Sequence, residues 1–521
     1  MTQTRLQILA ASLLVASSPV LAQLAPVKDG ISNTLVVSEK AAAQPAPAAA
    51  PAPGGGSPGA AGASNIGTRA SLVGRIEQAN DSAGGRQDVS VGGISGATTG
   101  TVNTDATLAG SVVQSKSGVA GRSTANDAQE VRVGAAGGNV QAGNATLSGT
   151  VKGNVVQTQS ATSGQRTQRV DAGSLTDSRV GSLTTSGVVS GNVTQSQVND
   201  SSSSGLSQEI RAGAVQGSQI TSGATSGRIV GPSVSQQSSG GNAGNSSNSQ
   251  SVDAGSISGT QASNVNTDGL VAGAVTQNRQ GSAAGRQDLS VGAVSGVDAG
   301  GNISTRGAVS NTVTQTQDSQ ANQAVAIGSV SGGSPQNATT NAQASGAISQ
   351  SATSRTGNTA GNQQRVLIGS AVGSSGRVTT NATTTNAISQ SLADTQGGAR
   401  QTVSVGSAER TSGTVSTDAV VTGRIDQSAR STINSEQTVS IGSAENTAAT
   451  VATRVAVDAG IRQDALGTTN GSQTINLGSV RNTGAGNVAT DVKVSGAITQ
   501  TSRAGSAGSQ RVLVGGVEGA Q

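Results

Sequence analysis

Counted in steps of two, apolar and polar residues alternate through most of this chain, and the alternation returns in register twelve times. One short element, Gln-x-Φ-x-Φ-Gly with Φ apolar, ends at Gly92, Gly134, Gly173, Gly213, Gly255, Gly292, Gly328, Gly369, Gly406, Gly442, Gly478 and Gly515, at a period of 36 to 42 residues. A longer element precedes each copy. Ile66, Thr68, Ala70, Leu72, Gly74, Ile76 and Gln78 share one parity, as do Val415, Thr417, Ala419, Val421, Gly423, Ile425 and Gln427. In this count the first position is apolar in all twelve copies, and the position two before the Gln is Val or Ile in all twelve. Thr fills its slot in ten and Gly in eight. A period of two places alternate residues on opposite faces of an extended strand, and no helical period competes with it.

The short element breaks parity at its Gly. The next residue is Gly, Ala or Ser and the one after it apolar, as in Gly406-Ser407-Ala408 and Gly478-Ser479-Val480. A strand turning a corner at glycine produces that signature, so Gly92, Gly406, Gly442, Gly478 and Gly515 are expected at corners. From a corner Gly to the next long-element Gln the interval is always 21 to 23 residues, whereas from that Gln to the short-element Gln it ranges from 8 to 15. Stacked coils need a constant path along their walls and tolerate insertion where the chain leaves them. The expected fold is therefore all-β: a β-solenoid of twelve stacked 36–42 residue repeats, with one variable loop per coil.

Parity also assigns an interior. Two glutamines per repeat lie on the apolar face, among them Gln78 with Gln87, Gln390 with Gln401, Gln427 with Gln437, Gln463 with Gln473 and Gln500 with Gln510. A buried amide is costly unless satisfied, and a column of identical amides lets each donate to one coil and accept from the next. Thr417, Thr453 and Thr490 share that parity and are expected to stack likewise.

Composition fits this geometry better than a globular one. Among 521 residues there is no Phe, Tyr, Trp, Cys or His, while Gly supplies 75. A core of ordinary thickness is filled by aromatics, Leu and Ile, and this chain must bury smaller groups by stacking. Lys and Arg exceed Asp and Glu by four, so the pI of 10.1 reflects the lack of groups titrating at middle pH, not a basic surface. Without a basic stripe or stacking aromatics, nucleic acid is not an expected partner.

The first 22 residues have the pattern of an export signal: Arg5, an apolar run from Leu6 to Leu14, and Leu21-Ala22 before a cut at Gln23. Residues 23–40 follow, with a possible lone strand at Leu35-Val36-Val37. Residues 41–65 form a linker of Ala, Pro and Gly, and the solenoid occupies 66–521. No membrane span is expected in the mature chain, which should be secreted, extracellular or at the cell surface.

Missing His and Cys removes thiol and His-based nucleophilic sites and most zinc sites, and no cofactor is expected. The enzyme class that remains is a polysaccharide-active right-handed β-helix working with Asp, Lys and Arg. The recurrent Thr104-Asp105, Thr267-Asp268, Thr417-Asp418 and Thr490-Asp491 pairs are spread along the array, as solubilising edge charges are. No catalytic or metal residues are assigned.

The paired glutamines, small residues and leader resemble curlin-type subunits of bacterial surface fibres and, more loosely, holdfast and biofilm repeat adhesins. The resemblance covers about Ile66 to Gln521. Curlin repeats are about half as long, carry Gly two residues after the first Gln, and usually include aromatics, whereas here that position is apolar. What it implies is extracellular assembly: an adhesin shaft, matrix component or fibre subunit whose partner is itself or a surface or matrix component, with a glycan possible. The array closes on Gln510 to Val517 with no polar cap in view, so an open edge is expected there, with Leu35 to Val37 as a candidate cap or donor strand.

Overall fold

A computed structural model describes residues 31–37, 39–40 and 65–519, apart from 81–84, 118–126, 161–164, 199–204, 240–247, 282–284, 298–299, 319–320, 334, 354–361, 375, 394–397, 448–449, 482–483, 485 and 504–507. The leader, most of the linker and most of the variable loops lie outside these residues.

Each repeat makes one coil of four strands, seen clearly in the tenth. Its long wall is Val415–Val421, its first glutamine wall Ile425–Arg430, its second glutamine wall Ile433–Ile441 and its short wall Ala444–Glu445. Coils stack in parallel, giving sheets of 13 strands for the long and second glutamine walls and 12 for the other two. The fold is an all-β solenoid. Identical columns meet in register: Gln427 lies between Gln390 and Gln463, and Gln437 between Gln401 and Gln473.

The long element differs from expectation in one respect. It is two strands in two sheets, Val415–Val421 and Ile425–Arg430, with the bend at Gly423. Parity survives the bend, so alternation alone could not reveal it. Glycine suits the bend for a steric reason: a Cβ at Gly423 would stand 2.0 Å from the carbonyl oxygen of Asn386 in the coil before.

The corner glycines do adopt the left-handed region, with φ of 61° at Gly92, 58° at Gly406, 55° at Gly442, 54° at Gly478 and 59° at Gly515. At the corner the chain touches the long wall and divides the interior in two. On one side Val439, Ile441, Val421 and Ile425 pack between the long and glutamine walls. On the other, Ala444 and Val480 of the short wall pack on Val415 and Val451.

Ahead of the array, Ile31–Val37 pairs in parallel with Gly85–Val91, which sets Asn33 opposite Gln87, Leu35 opposite Val89 and Val37 opposite Val91. Glu39–Lys40 then pairs antiparallel with Thr68 and Arg69 of the first long strand. The first coil is thus partly covered, and the segment read from sequence as a lone strand is an added strand of the second glutamine wall. At the other end, Val512, Val514 and Val517 are 44%, 46% and 49% exposed, which marks a face with no further coil among the described residues.

Candidate functional site: glutamine ladders and outer surfaces

The two glutamine walls face each other, and each carries an unbroken ladder. On the first, Gln114 donates through Nε2 to Gln78 Oε1 at 2.7 Å, and the same bond repeats to Gln427 on Gln390, Gln463 on Gln427 and Gln500 on Gln463, each at 2.8 Å. On the second, Gln129 donates to Gln87 at 2.7 Å, Gln401 to Gln364 at 2.9 Å, Gln437 to Gln401 and Gln473 to Gln437 at 2.8 Å, and Gln510 to Gln473 at 2.7 Å.

The second amide hydrogen crosses the core. Gln427 donates to the carbonyl of Thr438, and Gln437 to that of Asp464, both at 3.2 Å. Each amide therefore bonds along the axis and also ties one wall to the other, which satisfies groups that would be expensive to bury alone. All rungs point the same way, Nε2 toward the earlier coil, so the ladders have a polarity. Its last members, Gln500 and Gln510, present Oε1 toward the uncovered face.

The threonines stack in register, Thr417 between Thr380 and Thr453, yet their hydroxyls do not run along the column. Thr417 Oγ1 donates across the coil to Gly442 O at 2.7 Å, Thr453 to Gly478 O at 3.0 Å and Thr490 to Gly515 O at 3.1 Å. The corner turn aims that carbonyl inward, and the threonine satisfies it. Thr225 also belongs to this column, opposite Thr185 and bonded to Gly255 O at 2.6 Å. Simple counting placed Ser226 there because the fifth coil holds one extra residue at the Gly231-Pro232 bend.

Sequence reading missed two polar features. Two residues beyond the first Gln, beside the variable loops, the interior holds ionisable and amide groups in the early coils: a Lys116–Asp127 ion pair, Arg279, and Gln197 bonded to Gln159 at 3.0 Å. Burial pushes the Arg279 guanidinium down to about 10. In later coils the same column is Ala352, Leu392, Ala429 and Ala465. Parity with the glutamines was the available signal.

The other feature lies outside, in the re-entrant angle between the second glutamine and short walls. Arg211, 3% exposed at its side chain, pairs with Glu209 at 2.6 Å and Asp171 at 3.7 Å, and Arg169 reaches Glu209 at 2.8 Å. One coil on, burial pushes Asp253 up to about 7, with Asp288 and Glu209 adding to the shift and Arg211 opposing it. Alternation called these positions outward, which is right, but outward in a concave angle is not solvated.

No family model, curated protein or solved structure matches the chain. Its chemistry has to be read from its own surfaces. Among the described residues no group of three or more Asp or Glu is placed to hold a metal ion, and no helix is long and apolar enough to cross a membrane. The long wall carries an outward groove of about 560 Å³ across the fourth to eighth coils.

Proposed function

We propose that this chain is a secreted structural protein of the bacterial surface, a stiff rod serving as adhesin shaft, matrix component or fibre subunit. The observation that carries the reading is the pair of continuous, polar glutamine ladders that run through every coil to a last face that no further coil covers among the described residues. That face offers the acceptors of Gln500 and Gln510 beside exposed Val512 and Val514, the same columns through which each coil already stacks on its neighbour. A second copy is the complementary occupant, adding head to tail, because the ladder polarity sets donors at one end against acceptors at the other. At the first coil, Ile31–Val37 occupies the edge where the incoming coil would pair, so addition requires that this strand leave it.

An epitope-tagged chain in its host should be cleaved by protease added to intact cells, and the purified mature protein should form end-to-end rods under negative stain. A chain protected inside the cell, or a rod of fixed single length at high concentration, contradicts the reading.

One observation favours a second reading, an enzyme acting on polysaccharide. Asp253 and Asp288 sit on adjacent coils in the concave angle, and burial raises both above the ordinary carboxylate range. An acid that keeps part of its protonated form near neutrality beside a second carboxylate is a general-acid arrangement. Release of new reducing ends from a glycan, lost in Asp253→Asn, would establish it.

A further inference from the structure

The groove on the long wall has a lining of one chemical kind. Its fourteen lining residues are Ser, Thr, Asn, Gly, Ala, Leu, Val and Ile, with no ionisable side chain among them. The column of Leu183, Gly223, Val265 and Ile303 turns its side chains into the core and leaves its backbone as the floor, and one flank, Thr184, Ala224, Asn266, Ser304 and Thr339, carries its smallest side chain at Ala224 in the fifth coil.

One flank is an exposed asparagine ladder. Asn302 donates its backbone N–H to Asn264 Oδ1 at 3.1 Å, Asn337 Nδ2 donates to Asn302 Oδ1 at 2.7 Å, and the backbone N–H of Arg377 donates to Asn337 Oδ1 at 3.3 Å. Each side-chain oxygen is thereby engaged, so the ladder faces a ligand chiefly with N–H donors held in fixed orientation. Hydroxyls of Thr184, Ser304 and Thr339 line the same groove.

This lining discriminates strongly. An anionic ligand would want Arg or Lys, a lipid or apolar peptide would want large apolar or aromatic groups, and strand addition needs a free sheet edge, which the middle of a 13-stranded sheet does not have. What remains is a neutral ligand dense in hydroxyls and ring oxygens. The groove crosses the strands, so its donors repeat along the rod axis at the strand spacing of about 4.8 Å, and from the fourth to the eighth coil it extends about 19 Å. That spacing is close to the advance of one sugar in an extended chain.

We infer that this groove binds an uncharged polysaccharide laid along the rod axis, with the Asn264–Asn302–Asn337 ladder as its donor flank and the opposite flank opened at Ala224. The inference deepens the surface-scaffold reading by naming a partner for it. Single sugars bind weakly because no aromatic stacks on them, and affinity grows with chain length as successive coils engage.

Purified mature protein run in native gels containing neutral polymers (β-1,4-glucan, β-1,3-glucan, mannan, dextran) or anionic ones (alginate, polygalacturonate) tests this. Retardation by at least one neutral polymer and by neither anionic one is expected. Ala224→Arg should weaken it at least tenfold and Asn302→Ala severalfold, with fold checked by circular dichroism. Ser416→Arg, in the same outward column but five coils on, should leave it unchanged. No retardation by any neutral polymer, retardation by anionic polymers, or unaltered binding in both groove variants overturns the inference. A chain that binds neutral glycan yet is retained inside the cell leaves the groove standing and removes the surface reading; an exported chain that binds none does the reverse.

Discussion

At the scale of the residue, stability rests on amides that have no other place to go. Gln427 is 1% exposed and holds three bonds, to Gln390, to the Thr438 carbonyl and from Gln463. Gln427→Leu keeps the bulk and strands the partners on both sides, at a cost of about 2–4 kcal/mol read as a lowered denaturant midpoint. Its neighbour Ile425 is fully buried, and Ile425→Asp should be still worse, whereas Asp426→Ser removes only a surface pair with Arg424 and should stay within about 0.5 kcal/mol. Equal melting of Ile425→Asp and Asp426→Ser would show the inward and outward assignment to be wrong. Asp253 adds a pH dependence with a definite sign. Its folded value, about 7, lies above the unfolded one, so the folded state binds the proton more tightly and stability falls as pH rises from about 4 to about 7. Asp253→Asn should therefore stabilise the fold at pH 8 by an amount on the order of 2 kcal/mol, read as a raised melting temperature, and change little at pH 3.5. A benefit confined to acid would contradict it.

At the scale of the element, each coil is closed by its corner and, in all but the third, where Leu147 takes the slot, by one threonine. A Cβ at Gly134 would meet the Ser148 carbonyl oxygen at 1.8 Å, and φ there is 59°, so Gly134→Ala strains the backbone and pushes the corner off the long wall. The loss should be about 3 kcal/mol or more. Thr417→Val is the gentler counterpart: shape is kept, the Gly442 carbonyl loses its donor, and about 1–2 kcal/mol should follow. The twelve repeats, the parity, the corner glycines and the glutamine columns were all legible in the sequence, because each follows from a period of two and from what glycine and buried amides require. The split of the long element was not, since Gly423 turns inward and keeps the count. Nor was the route of the Thr417 hydroxyl, which depends on where a corner carbonyl of the same coil points. The Lys116–Asp127 pair and Arg279 were marked only by their parity with the glutamines, a weak sign beside charged residue types that are seldom buried. The crowded Arg211 and Asp253 depend on the angle between two walls, which no strand carries by itself. The groove was equally hidden, being assembled from two or three residues in each of five coils.

At the scale of the whole molecule, twelve coils about 4.8 Å apart make a rod of roughly 58 Å whose contacts are almost all between neighbours. Such a rod propagates any end-face complementarity, which is why the covering of the first coil by Ile31–Val37 matters. Adding Pro and Lys after Val514 should block end-to-end growth, and identical assembly of that variant would mean that growth uses another surface. All of this depends on one repeat making one coil. The chain has no cysteine, so two can be introduced cleanly at Thr194 and Thr499, which share one column of the first glutamine wall eight coils apart, and the spin-label distance between them measured. A narrow distribution centred near about 38 Å is expected. One near about 77 Å, as two coils per repeat would give, or a broad distribution with no peak, would contradict the stacked solenoid.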